Sequence, residues 1–233
     1  MRLLIIIPAY NEAASIEKVI DNLTENFPQY DYVIVDDGST DETAAICDRR
    51  GYEVIHLPIN LGIGGAVQTG YKYALENGYD CAVQMDGDGQ HDPQFLEGML
   101  KSLEEENVNE VVGSRFVEKK GFQSSGMRRF GINFLSGLGK FLTGTRLRDI
   151  TSGYRLVDKR LLEIYASDYP SDYPEPEAMV IAAIYGCKIL EYPVIMKERI
   201  GGDSSINPRR AVYYMIKVSI AMIIRRLSLG FRR

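Results

Sequence analysis

Two aspartates separated by one glycine, Asp86-Gly87-Asp88, carry the most specific chemistry in the sequence. They follow a short apolar run, so both carboxylates emerge at one end of a candidate strand and can reach a single hard cation. Oxygen donors of this kind suit Mg²⁺ or Mn²⁺, which are commonly held by one or two carboxylates and completed by substrate phosphates. Gln90 adds a neutral oxygen, so Asp86, Asp88 and Gln90 form the candidate metal set. Without a cation the carboxylates repel and one tends to hold a proton. An EF-hand loop would put Glu97 at its twelfth position, but Pro93 and the strand-like run before Asp86 argue against that.

Three further polar clusters follow short apolar runs: Pro8-Ala9-Tyr10-Asn11-Glu12, Asp36-Asp37-Gly38-Ser39-Thr40-Asp41, and Asn60-Leu61-Gly62-Ile63-Gly64-Gly65-Ala66. Asp and Gly are common in turns, so one such cluster would mean little. Four in register are a different matter. The glycines Gly62, Gly64 and Gly65 open a helix pattern and offer backbone N–H groups to a phosphate, although tight packing explains them equally well. No Gly-Lys-Ser/Thr follows, so this is not a Walker loop.

The elements that must position these clusters alternate. Leu3–Ile7, Tyr32–Val35, Glu53–Leu57, Cys81–Met85 and Glu110–Val112 read as strands buried on both faces. Helix patterns lie at 12–27, 40–50, 63–77 and 93–106, with Asn11 as cap of the first, Ser39 or Thr40 of the second, and Pro93 in the first turn of the fourth. Such alternation predicts an α/β fold with a doubly wound, mostly parallel sheet, whose ligands bind beyond the carboxyl ends of its strands. Further on, 117–126 and 198–208 read as loops, 127–143, 176–186 and 208–229 as helices, and 188–195 as a strand.

The 233 residues are 45% apolar and 25% charged, the composition of an ordinary globular chain. The net charge of −5 hides an asymmetry. Residues 197–233 hold nine Lys/Arg against Glu198 and Asp203, leaving a body of −12 and a tail of +7. Nothing in this balance points to nucleic acid. The three cysteines are scattered, which argues against a disulfide framework or a zinc site.

The four clusters, together with Gly113-Ser114-Arg115-Phe116, Asp149-Ile150-Thr151-Ser152-Gly153-Tyr154-Arg155 and Arg199-Ile200-Gly201-Gly202-Asp203-Ser204, resemble the inverting family 2 glycosyltransferases of GT-A fold. The resemblance spans residues 3–206, and the Gly-Ser-Arg and Ser-Gly-Tyr-Arg segments are similar to polyprenyl-phosphate sugar synthases of the dolichol-phosphate mannosyltransferase type. It implies a GDP- or UDP-linked sugar donor and a polyprenyl phosphate acceptor. By that likeness Pro8, Tyr10 and Glu12 line the nucleoside pocket and Asp37 accepts a hydrogen bond from the base. Asp86 sits near ribose and metal, Asp88 and Gln90 hold the bridging cation, and Arg199 clamps the diphosphate. Gly62 joins the donor set as part of the glycine turn.

A lipid phosphate needs no general base but does need cations, and Arg115, Arg128 and Arg129 are the candidates, since guanidinium forks match phosphate oxygens. Asn133 stands where the family often carries serine one turn after the arginine pair. A hydroxyl acceptor, as in a glycan-extending relative, would need a base. Asp149, Glu175 and Glu177 are then the options, although Glu175 and Glu177 at a helix start also suit helix-dipole partners and Asp149 also suits shaping of the acceptor loop; Asp149 and Glu177 complete the catalytic set with Asp88 and Arg115. His91 is read as structural beside the metal loop, and His56 as strand filler. A non-catalytic nucleotide-sugar-binding module would need a broken metal set, which this chain lacks.

The chain divides into a catalytic domain, 1–207, and a basic amphipathic helix, 208–233. Arg210, Lys217 and Arg225 share one side of that helix, with Tyr213, Ile216, Ile220 and Ile224 over much of the rest. This suits a helix lying on an anionic membrane surface at the cytosolic face. Contact with a second copy or a membrane-protein partner is the alternative.

Overall fold

The computed structural model describes residues 1–118, 126–197 and 208–230. In chain order the elements are β1 (Leu3–Ala9), α1 (Ile16–Asn26), β2 (Asp31–Asp36), α2 (Thr43–Arg50), β3 (Val54–His56), α3 (Gly62–Glu76) and β4 (Cys81–Gln84). A 3₁₀ turn (Pro93–Phe95) leads into α4 (Leu96–Glu105), followed by β5 (Glu110–Ser114), α5 (Gly126–Thr143) and β6 (Arg155–Asp158). The chain continues through α6 (Lys159–Ser167), α7 (Pro174–Ile184), β7 (Ile189–Pro193) and α8 (Pro208–Gly230). Seven strands form one sheet in the order β3-β2-β1-β4-β6-β5-β7. All pairings are parallel except those of β6, which runs antiparallel to both β4 and β5. The sequence expectation of a doubly wound, mostly parallel sheet holds.

The pleat of β1 shows why its run is apolar throughout. Leu3, Ile5 and Ile7 point into a core shared with Ile16 and Ile20 of α1 and Met99 of α4. Leu4 and Ile6 point the other way, onto Val67 and Tyr71 of α3 and Leu161 of α6. A third core joins Ile132 and Leu135 of α5, Met179 and Val180 of α7, and Val218 and Met222 of α8. The C-terminal helix is therefore docked on the body through its own buried residues.

Several boundaries differ from the sequence reading, each for a local reason. Asn11 does not cap α1. It takes a left-handed conformation (φ 58°), which Asn tolerates, and its Oδ1 accepts from the N–H groups of Thr40 and Asp41 at 2.8 and 3.3 Å. Helix α1 starts only at Ile16. Ser39 and Thr40 likewise lie before α2, which begins at Thr43. Pro93 opens the 3₁₀ turn, capped by Asp92, rather than α4 itself. Helix α7 begins at Pro174, two residues early, after Tyr173 in the left-handed region (φ 48°). The expected loops at 117–126 and 198–208 lie mostly outside the described residues.

The sequence reading missed β6 and α6. Strand β6 is short and opens with an arginine, a poor signal for a central strand. Arg155 is fully buried there, with Nη1 2.8 Å from Glu110 Oε1 on β5. Its Nε and Nη2 donate to the carbonyls of Ser152 and Ile150 at 2.9 and 3.0 Å, shaping the turn before β6. Removing one partner of such a pair leaves a buried charge uncompensated. Arg155→Met should lower folding stability by about 3–5 kcal/mol, read as a lower urea midpoint.

Candidate donor and metal site

Strands β2, β1 and β4 are parallel neighbours, so their carboxyl ends deliver three polar clusters to one edge. Ala9 pairs with Asp36, and Ile6 with Gln84. Asp36 and Asp37 are both 3% exposed. Asp37 Oδ1 accepts from the Leu61 N–H at 2.7 Å. Burial raises the Asp37 carboxyl above its ordinary range, the N–H groups of Leu61 and Gly62 oppose the rise, and Asp36 adds to it. Its neighbour Asp36 accepts from the Ser39 N–H at 3.1 Å and from His56 Nδ1 at 2.9 Å. His56 Nε2 lies 3.1 Å from Asp48. His56 is thus not strand filler but a bridge between β2 and α2.

The β1 cluster lies beside this pair. Pro8 is buried in the strand, and Tyr10 is exposed at its end. The Glu12 N–H donates to Thr43 Oγ1 at 2.9 Å, and its carboxylate accepts from Ser15 Oγ at 2.7 Å. The Asn11 N–H donates to Ser39 Oγ at 3.0 Å, so the loops after β1 and β2 are stitched together. Tyr10, Ile59, Leu61 and Ile63, on the loops after β1 and β3 and in the first turn of α3, are exposed. The glycine turn is less of a phosphate cradle than its sequence suggests. Gly62 adopts φ 80° and donates its N–H to Asn60 Oδ1, while Gly64 donates to Ser171 O at 3.0 Å. A Cβ on Gly64 would stand 1.9 Å from Pro170 O, so close packing explains this glycine.

The loop after β4 holds the proposed metal set. Asp88 is 2% exposed and accepts from the Gln90 N–H at 2.9 Å. Asp86 is partly exposed and accepts from Gln84 Nε2 at 3.1 Å. The Asp86 N–H donates to His91 Nδ1 at 3.0 Å, and the His91 ring stacks on Tyr154 with centroids 4.8 Å apart. His91 therefore shapes the loop. Among the described residues no three His, Cys, Asp or Glu side chains gather as a metal cluster. Two carboxylates and an amide fit Mg²⁺ or Mn²⁺ when substrate oxygens complete the shell, and do not make a zinc site. Lys197, the last described residue before 198, is tied to this loop. Its N–H donates to Gln90 O at 3.0 Å, and its Nζ lies 2.7 Å from Asp92. Arg199 lies outside the described residues.

The acceptor-side candidates divide. Arg115 Nε and Nη2 each lie 2.7 Å from the buried Asp149, in a bidentate pair. The Asp149 N–H donates to Glu191 at 2.8 Å. Asp149 is therefore the anionic partner of Arg115, and the expectation of a base role does not fit. Glu177 does not fit one either, because its Oε1 accepts from Arg225 Nε of α8 at 2.8 Å. Arg129 lies over the Phe116 ring at 3.4 Å, with its Nη1 buried and without a hydrogen-bond partner. Asn133 is exposed one turn along α5. The Arg128 side chain is outside the described set. Ser136 instead turns inward to bond Leu147 O.

Glu175 opens α7 in its first turn. Burial raises its carboxyl above the ordinary range, and Asp86 adds to that rise while Arg155 and Arg115 oppose it. Its first-turn position in α7 is also that of an ordinary helix-dipole partner.

With this geometry in place, relatives can be compared. The glycosyl transferase family 2 model matches residues 4–165. The chain belongs to that family. Its activity is glycosyl transfer, and all the donor-side clusters fall within the matched region. An undecaprenyl-phosphate mannosyltransferase of Micrococcus luteus is 32% identical over 216 residues, 89% of this chain and 88% of its own length. A polyprenol monophosphomannose synthase of Mycolicibacterium smegmatis is 29% identical over 228 residues, 94% of this chain and 86% of its own. Among solved structures, glucosyl-3-phosphoglycerate synthase of Mycobacterium tuberculosis, bound to Mn²⁺, uridine diphosphate and glucosyl-3-phosphoglycerate, superposes with a TM-score of 0.70. It is 21% identical, over 97% of this chain and 79% of that one, and so shares the family 2 fold.

The His56 bridge has a pH signature. Its hydrogen bond to Asp36 pushes it above the ordinary value of 6.5; burial opposes this, and Asp48 reinforces it. A folded-state value above the unfolded one stabilises fully below about pH 6.5 and fades as pH rises through the raised value. Urea stability of the wild type should therefore decline through that window, and His56→Gln should flatten the decline.

Proposed function

We propose that this family 2 enzyme transfers a sugar from a nucleoside-diphosphate donor to a polyprenyl phosphate, with inversion and with Mg²⁺ or Mn²⁺. The observation that carries the acceptor is similarity over nearly nine-tenths of the chain to an undecaprenyl-phosphate mannosyltransferase. Arg129 adds physical support, since a desolvated guanidinium edge without a partner suits a phosphate oxygen.

In this reading Tyr10 covers the nucleoside, and Asp37 accepts from its base. Asp86, Asp88 and Gln90 would hold the cation, whose charge would offset that of the diphosphate. Arg199 follows a segment tied to the metal loop and would neutralise the same charge. The acceptor phosphate is already ionised. Its oxygen forms the bond to the anomeric carbon as the bond to the nucleoside diphosphate breaks on the opposite face, so an α-linked donor gives a β-linked product. No residue need remove a proton. Asp149 holds Arg115 in place beside Arg129.

A membrane surface is the natural place for such an acceptor. No helix among the described residues is long and apolar enough to cross a membrane. The cationic stripe expected to face lipid is partly turned inward, since Lys217 pairs with Asp172 and Arg225 with Asp168 and Glu177. The apolar side is open instead. Phe130, Phe134 and Phe141 of α5 and Ile216, Ile220 and Ile224 of α8 are all at least half exposed. Two packed helices with such faces suit an interfacial seat. Replacing Ile216, Ile220 and Ile224 together with Ser should release the protein from anionic liposomes in a sedimentation assay. Unchanged sedimentation would favour a protein partner on this face.

A hydroxyl acceptor is the second reading, favoured by the fold shared with a synthase solved with phosphoglyceric acid. Glu175 would then take the proton. A panel of nucleotide sugars offered with polyprenyl phosphate, phosphoglycerate or a free glycan, with and without Mn²⁺, separates the two. We expect lipid-linked product only with metal, and none from Asp88→Ala. Transfer to a hydroxyl acceptor alone would establish the second reading.

A further inference from the structure

The segment from Asp168 to Glu177 crosses from the end of α6 into the first turn of α7 and lies against the glycine turn of the donor site. Gly64 donates its N–H to Ser171 O at 3.0 Å, and there is no room for a Cβ between Gly64 and the carbonyls of Pro170 and Ser171. Three residues earlier, the Leu61 N–H bonds Asp37 at 2.7 Å. Any shift of the strap therefore reaches the base-reading carboxylate through backbone contacts.

Tyr173 of the strap meets Tyr214 of α8 edge to face, with ring centroids 4.7 Å apart. Beside that contact a cavity of about 310 Å³ opens between the strap and α8, lined by Tyr169, Ser171, Tyr173, Lys217, Val218 and Ala221. Tyr173 also sits in the left-handed region, which persists only where the surroundings impose it. Across the gap run two sets of ion pairs. Lys217 and Asp172 are 39% and 58% exposed, so that pair contributes little. Arg225 is better placed. Its Nη1 lies 3.0 Å from both oxygens of Asp168, at the start of the strap, and its Nε lies 2.8 Å from Glu177, at its end. One half-buried guanidinium thus clamps both ends.

We propose that Arg225 is a positioning residue for the donor site, holding the Asp168–Glu177 strap against the Gly62–Gly64 turn from α8. Without it, Asp168, Asp172 and Glu177 repel one another around a cavity that gives the strap room to move. This rests on the nucleotide-sugar reading above. The test is the affinity of full-length protein for uridine and guanosine diphosphates with Mn²⁺, measured by calorimetry, alongside donor KM and kcat.

We expect Arg225→Gln to weaken nucleoside-diphosphate binding and raise donor KM by roughly tenfold, with a smaller change in kcat and with Arg225→Lys restoring most of the loss. Asp168→Asn should do the same more weakly, and the double variant should be no worse than Arg225→Gln. Folded Arg225→Gln with wild-type affinity would overturn the proposal, as would strictly additive losses in the double variant. If Arg225→Gln fails to fold, unchanged affinity in Asp168→Asn overturns it and a loss supports it. Wild-type protein that binds neither diphosphate overturns the nucleotide-sugar reading and this inference together, whereas wild-type binding with indifferent variants overturns this inference alone.

Discussion

Carboxylates held almost out of water at the carboxyl edge of a parallel sheet are the constraint around which this molecule is built. Asp36, Asp37 and Asp88 are each no more than 3% exposed, and desolvated anions are costly unless nearby donors compensate them. The compensation comes mostly from backbone. Ser39 N–H serves Asp36, Leu61 N–H serves Asp37, and Gln90 N–H serves Asp88. Each loop is therefore bent to aim a peptide group at a carboxylate. Gly38 illustrates the cost of that bend. It adopts φ 67°, and a Cβ there would stand 3.0 Å from the Asn60 backbone.

The acceptor side applies the same rule with the signs exchanged. Arg115 and Arg155 are buried cations, and each is matched by a buried carboxylate, Asp149 and Glu110. The two pairs are joined through one turn, because Arg155 holds the carbonyls of Ile150 and Ser152 just past Asp149. Arg129 is treated differently: it lies over an aromatic ring, and one N–H edge has no partner. Two cations are fixed as framework and one is held with an open valence, a division that charge counting could not anticipate.

The donor half was legible because its signals are local. An apolar run followed by Asp-Gly-Asp or Asp-Asp-Gly-Ser states both a strand and its functional end, and β1, β2 and β4 lie where those runs are. The ion pairs of Asp149 and Glu177 were not legible, because an isolated carboxylate says nothing about its partner. Their partners, Arg115 and Arg225, lie 34 and 48 residues away. The same applies to the +7 tail, whose helical wheel placed Lys217 and Arg225 on one side but could not tell lipid from Asp172 and Asp168. Strand β6 escaped because burial of its arginine depends on Glu110, which only the assembled sheet supplies.

The position of β6 has a consequence for how the chain assembles. Strands β1 to β4 are adjacent in space, so a four-stranded half sheet can form once residue 84 is available. Strand β5 comes next in sequence but has no place beside β4, because β6 occupies it. It must wait, with its valines unpaired, until residues 155–158 arrive and insert antiparallel between the two. The metal loop belongs to the early half, whereas Asp149, Arg155 and Glu175 belong to the late one. A ribosome would thus release the β1–β4 half sheet before β6 and β7 exist, and a chain stalled at that point would expose a raw sheet edge to its neighbours.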